Sequence, residues 1–185
     1  MIIMASKSPR RKELLGMITD NFRCIVSDVE EICPDGLSAI EECSLFARQK
    51  CEAVAAEHPC DTVIGCDTVV FLDGETLGKP KNPDEARRMV QQLRNNVHTV
   101  HTAVCVKKDD ICHEFVCSTN VRFFDIPDAD IEAYIRTDEP YDKAGAYGIQ
   151  QTMGKYVDSI EGDYFNIMGL PVSRLYRLLR EIGAL

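Results

Sequence analysis

Ser6-Lys7-Ser8-Pro9-Arg10-Arg11 places two hydroxyls and three cations where a short apolar run gives way to a helical pattern. Backbone N–H groups at a helix start carry partial positive charge, so cations added there make a place for phosphate. The same cations oppose the helix dipole by roughly 0.3 to 1 kcal/mol each, and a helix start selected for stability alone would carry Asp or Glu. A bound anion removes that conflict; a solvated pair of arginines near a chain start is the plainer alternative. Asp67 is a second group of interest, standing with Thr68 between Val63, Ile64, Val69 and Val70. A carboxylate inside an apolar strand must be paired, hydrogen-bonded or metal-bound, because burying it otherwise costs several kcal/mol. It either does chemistry or serves the fold by capping a turn or pairing with an arginine.

Three further groups could join them. Gly78-Lys79-Pro80 holds a loop lysine beside a rigid proline, a common surface arrangement on its own. Glu30-Glu31 reads either as a metal-binding carboxylate pair or as an acidic loop. Glu139-Pro140-Tyr141-Asp142-Lys143-Ala144-Gly145-Ala146-Tyr147-Gly148-Ile149-Gln150 has glycines that permit close backbone approach to a ligand. Its Gln150 has both a donor and an acceptor with which to read a base edge. The nine cysteines include no Cys-x-x-Cys pair, and most of them read as small buried hydrophobes. A zinc site from His58, Cys60 and Cys66 is conceivable, although metal signatures usually bring tight ligand pairs.

The elements that must position these groups alternate between strand and helix, which predicts a mixed twisted sheet flanked by helices in an α/β layer architecture. Residues 2–5 and 22–27 read as strands, and Ser8 with Pro9 opens a helix between them. Ser38-Ala39-Ile40-Glu41 is a capping-box pattern, followed by Ile40, Cys43, Ala47, Cys51 and Val54 at helical spacing. Residues 62–72 form a β-rich run that ends at the Asp73-Gly74 turn signal. Asn82-Pro83-Asp84-Glu85 caps a helix whose stripe is Ala86, Met89, Val90 and Leu93. Residues 99–106 and 114–124 flank 107–110 as an antiparallel hairpin, and Asp128 opens a helix to about residue 135. Residues 139–154 show little periodicity and read as a structured loop. Val172, Leu175, Tyr176, Leu179 and Ile182 form a last amphipathic helix introduced by Pro171.

With 185 residues, the chain has the length of one ordinary domain, 1–185, with a single core. A net charge of −9 argues against a broad nucleic-acid or anionic-membrane surface, which needs a cationic face. No apolar run approaches the roughly 20 residues of a membrane helix, and Met1 to Met4 lack the pattern of a secretion signal. These features predict a soluble, cytoplasmic protein.

Taken in order along the chain, Ser6-Lys7-Ser8-Pro9-Arg10-Arg11, Cys66-Asp67-Thr68-Val69-Val70, Gly78-Lys79-Pro80, the 142–150 segment, Gly162-Asp163-Tyr164 and Gly169-Leu170-Pro171 resemble the Maf family. These septum formation inhibitor proteins are nucleoside triphosphate pyrophosphatases. The resemblance implies the family's three-layer α/β/α fold, and Tyr147-Gly148-Ile149-Gln150 looks like the subgroup acting on dTTP and UTP. By resemblance, Asp67 matches the catalytic acidic residue, and Arg10, Thr68 and Gln150 match substrate-specificity positions. Arg11, Lys50 and Lys79 match cations around the triphosphate, and Glu31 matches a carboxylate near the metal, with Asp67. Gln151 and Thr152 depart from the family pattern, which usually has glycine and then a small or apolar residue there. The resemblance further implies Mg²⁺ as the divalent ion, a nucleoside triphosphate as substrate and a homodimer. Two other readings stay open: a nucleotide-binding regulator of septum formation with little turnover, and a house-cleaning pyrophosphatase for purine or modified nucleotides.

Overall fold

The N-terminal apolar run Ile2–Met4 is strand β1, and Ser8 starts helix α1, Pro9–Gly16, by accepting from Arg11 N through its side chain (3.5 Å). The structure is a computed structural model that describes residues 1–185 except Asp28, Glu30, Glu31 and Asp35. Strand β2 is Phe22–Cys24, shorter than the predicted 22–27. The capping box forms at helix α2, Ala39–Glu57: Ser38 Oγ accepts from Glu41 N, and Glu41 Oε2 accepts from Ser38 N. The remaining elements are β3 (Thr62–Leu72), β4 (Glu75–Leu77), α3 (Pro83–Leu93), β5 (Val97–Lys108), β6 (Ile111–Phe123), α4 (Asp128–Tyr134), β7 (Val157–Glu161), α5 (Tyr164–Met168) and α6 (Val172–Glu181).

Seven strands make one mixed sheet in the order β2-β1-β3-β5-β6-β7, with β4 paired to β3. β1 runs parallel to both β2 and β3, while β4 is antiparallel to β3 and β7 antiparallel to β6. Two short links have backbones made for hairpins. Asp73 and Gly74 have φ of 50° and 88°, and Asp109 and Asp110 have 49° and 64°, the left-handed pair that suits a two-residue turn between twisted strands. A two-residue link admits only antiparallel neighbours, so β5 and β6 form the hairpin read from the sequence, with a tighter turn than 107–110. The mixed α/β architecture is the one the sequence predicts.

The chain divides into two compact units. The first comprises Met1–Thr68, Thr102–Cys117 and Gly169–Leu185; the second comprises Val69–His101 and Ser118–Met168. In the first unit Ile3, Met4, Leu14, Leu15, Ile64, Val104, Leu175 and Leu179 are buried. The buried stripe of α2 is Ala39, Cys43, Ala47, Cys51 and Val54, so the predicted Ile40 falls about 100° around the helix and is 43% exposed. Tyr176 is likewise exposed beside the buried Leu175 and Leu179 of α6. The second unit gathers Leu77, Val90, Leu93, Phe123, Ile131 and Met153 into its core. Residues 139–156, of which 139–154 are predicted as a structured loop, hold three 3₁₀ turns: Glu139–Asp142, Ala144–Ala146 and Thr152–Tyr156.

The contact of α2 with β3 depends on Gly65. A Cβ built there would lie 2.2 Å from Ala47 O and 2.7 Å from Cys51 N, and neither backbone atom can yield without moving the helix. Gly65→Ala is therefore expected to lower stability by about 3 kcal/mol or more. Chemical denaturation reads this directly, and a wild-type midpoint in the variant would contradict the close approach.

Candidate active site

Lys50 projects from α2 onto Asp67 of β3, where its Nζ donates to Oδ1 at 2.6 Å. The two side chains are 16% and 15% exposed, so each charge has left most of its water and depends on the other. The partner that the sequence requires for Asp67 is thus a lysine rather than an arginine or a turn. Asp67 Oδ2 has no hydrogen-bond partner among the described residues, so one carboxylate oxygen stays available for chemistry. The backbone beside it is fastened by a thiol: Cys43 Sγ donates to Asp67 O (3.2 Å) and accepts from Ala103 N (3.3 Å). Burial, and after it the charge of Asp67, pushes the Cys43 thiol up to about 12. At neutral pH it is a protonated linker between α2, β3 and β5, not a nucleophile.

The helix start read from the sequence converges on the same strand. Arg11 donates through Nε to Gly169 O (2.9 Å), through Nη1 to Ser6 Oγ (3.4 Å) and through Nη2 to Thr68 Oγ1 (3.0 Å). Ser6 Oγ also accepts from Ser8 N (3.2 Å), and Thr68 Oγ1 lies 3.0 Å from Thr102 Oγ1. Of the residues predicted for the site, the first unit therefore brings together Arg11, Lys50, Asp67 and Thr68. Arg10 stands next to Arg11 in the first turn of α1, half-buried. No acidic residue stands in that turn. Glu31 lies outside the described residues.

Lys79 and Gln150 belong to the second unit, and both are exposed. The backbone that carries them is tied down around them. Gly145 N donates to Gly78 O (3.0 Å), Tyr134 Oη donates to Ala146 O (2.9 Å), and His98 Nε2 pairs with Tyr147 Oη (2.7 Å). Gly145 has φ of 65°, and a Cβ there would meet the Val70 side chain at 2.9 Å, which explains the glycine. Thr152, one of the two departures from the family pattern, fastens the loop in its own way: its Oγ1 and N donate to the Glu139 carboxylate at 2.7 and 3.2 Å.

The family model for Maf-like proteins matches residues 1–182. The chain belongs to the Maf family. A protein of Bacillus velezensis named dTTP/UTP pyrophosphatase is 44% identical over 182 residues, covering 98% of this chain and 96% of that protein. One of Clostridium novyi with the same name is 45% identical over 190 residues, covering 98% and 97%. One of Koribacter versatilis, again so named, is 43% identical over 184 residues, covering 100% and 95%. Among solved structures, the Staphylococcus aureus Ham1 protein is similar in fold, with a TM-score of 0.56 at 18% identity and 98% of each chain covered. A HAM1 protein from Coxiella burnetii gives 0.55 at 14% identity, covering 97% of this chain and 98% of that one. Among the described residues, no helix is long and apolar enough to cross a membrane.

Residues of this Maf chain that escaped the sequence reading are Cys43, Thr102, Gly169 and His98, each acting through a backbone atom or a second side chain. Threonine, histidine and cysteine in β-rich or helical runs look like packing; for Gly169 the positive φ of 102° is invisible in the sequence, although its motif was noticed. Burial pushes His98 from the ordinary 6.5 down to about 4, so the ring paired with Tyr147 is neutral. Because the folded value is the lower one, the stability tied to the neutral ring is fully present above pH 6.5. It is lost as pH falls, by about 3 kcal/mol at pH 4. Wild type is expected to lose that much more stability between pH 7 and pH 4 than His98→Gln, which has nothing to titrate there. Equal losses would contradict neutral burial of the ring.

Proposed function

We propose that this Maf-family chain is a nucleoside triphosphate pyrophosphatase that hydrolyses dTTP and UTP to the nucleoside monophosphate and pyrophosphate. The observation that carries the proposal is the Lys50–Asp67 pair, next in the chain to a Thr68 held by Arg11, in a protein similar over nearly its whole length to dTTP/UTP pyrophosphatases. Simple anion binding has no use for a carboxylate at such a place, since its charge repels phosphate. Hydrolysis has one: water must add across the anhydride between the α and β phosphates, and a base must take its proton.

In this proposal Asp67 activates that water, with Oδ2 as the available oxygen. Lys50, expected among the phosphate cations, is held on Oδ1, so it orients the carboxylate while its positive charge stays in the site. Arg10, Arg11 and Lys79 are assigned to the phosphates, and Thr68 and Gln150 to the base. These cations oppose the charge that accumulates on the departing pyrophosphate. A hard divalent ion suits the Asp67 carboxylate, because Mg²⁺ commonly takes one or two carboxylates and completes its shell with substrate phosphates and water. Asp67 and Glu31 are the residues assigned to hold it, and it would supply Lewis-acid charge to the phosphates. We further assign the chain as one Maf-like domain acting as a homodimer in the cytoplasm, without nucleic acid or membrane partners, in keeping with its net charge of −9.

Asp67→Asn keeps the shape of the side chain and is expected to lower kcat for dTTP by about 10³-fold or more, with the circular dichroism spectrum unchanged. Near-normal pyrophosphate release by that variant would remove Asp67 from the mechanism. Chromatography of a wild-type dTTP digest should show dTMP and no accumulating dTDP, whereas stepwise loss of phosphate would indicate a phosphatase. The same assay over a nucleotide panel, with and without Mg²⁺, separates this reading from a purine-directed enzyme and from a binding protein with little turnover.

A further inference from the structure

Thr68 is the one proposed base-reading residue whose hydroxyl is already engaged twice by the protein. Its Oγ1 accepts from Arg11 Nη2 at 3.0 Å and lies 3.0 Å from Thr102 Oγ1. A guanidinium presents its five donors in one rigid plane. Three of them are fixed here, on Gly169 O, Ser6 Oγ and Thr68 Oγ1, so Arg11 cannot turn away from Thr68 without breaking two other bonds. Gly169 closes over the pair: its φ is +102°, and a Cβ would come within 3.2 Å of Thr68 Oγ1 and 3.4 Å of Arg11 Nε. On the other side Thr102 is fully buried in β5, so its hydroxyl is fixed as well.

These contacts limit what Thr68 can offer a ligand. A hydroxyl has one proton and two lone pairs, and Arg11, which has no acceptor, always takes a lone pair. Thr102 takes one of the two functions that remain. If Thr102 donates, Thr68 keeps its proton for a ligand; if Thr68 donates, it keeps a lone pair. Either way a single polar function of fixed direction is left.

We propose that Arg11 and Thr102 are positioning residues for substrate specificity: they fix the Thr68 hydroxyl so that it offers one defined hydrogen-bonding function to a pyrimidine nucleoside triphosphate. The proposal rests on the reading that Thr68 contacts the nucleotide, and it adds that this selectivity is set from outside the contact. Arg11 is then more than a charge for the phosphates, because its planar fork cannot be replaced by a lysine.

The test is steady-state pyrophosphate release from dTTP and dGTP. Thr102→Val removes the hydroxyl at nearly constant shape, and the ratio of kcat/KM for dTTP over dGTP is expected to fall about tenfold, chiefly through KM for dTTP. Thr102→Ser, which restores the hydroxyl, should keep the ratio within about twofold of wild type. In a Thr68→Val background the Thr102→Val change should have no further effect on the ratio, whereas a merely structural role would still act there. Arg11→Lys keeps the charge but loses the fork; its expected fall in the ratio carries the test if Thr102→Val does not fold. A folded Thr102→Val with the wild-type ratio, or with the same fall in the Thr68→Val background, overturns the proposal. So does an unchanged ratio in Arg11→Lys. If wild type releases no pyrophosphate from dTTP, or Thr68→Val alone leaves the ratio unchanged, the underlying reading fails first, and the two failures are distinct.

Discussion

The ion pair between Lys50 and Asp67 ties helix α2 to strand β3 within the first unit. It joins a helix to a strand through a single ammonium and a single carboxylate oxygen, so it exists only where α2 lies close on β3. Gly65 permits that approach, because any Cβ there would strike the α2 backbone at Ala47. One helical turn before Ala47, the Cys43 thiol spans from Asp67 O to Ala103 N and fixes the strand where the carboxylate leaves it. The small buried residues of α2 therefore have one geometric consequence. They let the helix lie close enough for a lysine to pair with one oxygen of a largely buried carboxylate.

A second constraint comes from the cations at the start of α1. Lys7, Arg10 and Arg11 sit where the dipole disfavours them, and the first turn of α1 holds no acidic residue. The structure resolves part of that tension inside the protein. Among the described residues Arg11 gives donors to a carbonyl and two hydroxyls, all neutral acceptors, which orient its positive charge without neutralising it. An oriented, uncancelled cation suits a polyanionic ligand in a way that a salt-bridged arginine does not. Arg87 in α3 shows the contrast: Asp84 and Glu132 both take its donors, and its charge is used up in the fold.

The chemistry was more legible in the sequence than the geometry. Asp67 could be singled out because an acidic residue in an apolar strand conflicts with its surroundings, and Ser8, Ser38 and Asn82 announced their helices because caps are local. Asp73-Gly74 declared a tight turn for the same reason. Lys50 entered only through the family resemblance, since nothing local says which face of α2 meets which residue of β3. Strands β4 and β7 and helix α5 are too short to show a period. Residues 139–154 lack one because 3₁₀ turns fastened by side chains such as Tyr134 and Thr152 hold them instead. Thr102 and Cys43 were illegible as site residues because their partners are created by the strand order, which only the folded chain shows.

If Lys50 works through Asp67, a double-mutant cycle on kcat for dTTP shows the coupling. Lys50→Met alone should lower kcat by about 10²-fold, since it leaves the carboxylate without its orienting partner. Combined with Asp67→Asn, it should lower kcat no further than Asp67→Asn alone, because the residue it acts through is gone. If Lys50→Met instead costs the same factor in both backgrounds, the two side chains act independently, and Lys50 does not orient Asp67 for catalysis.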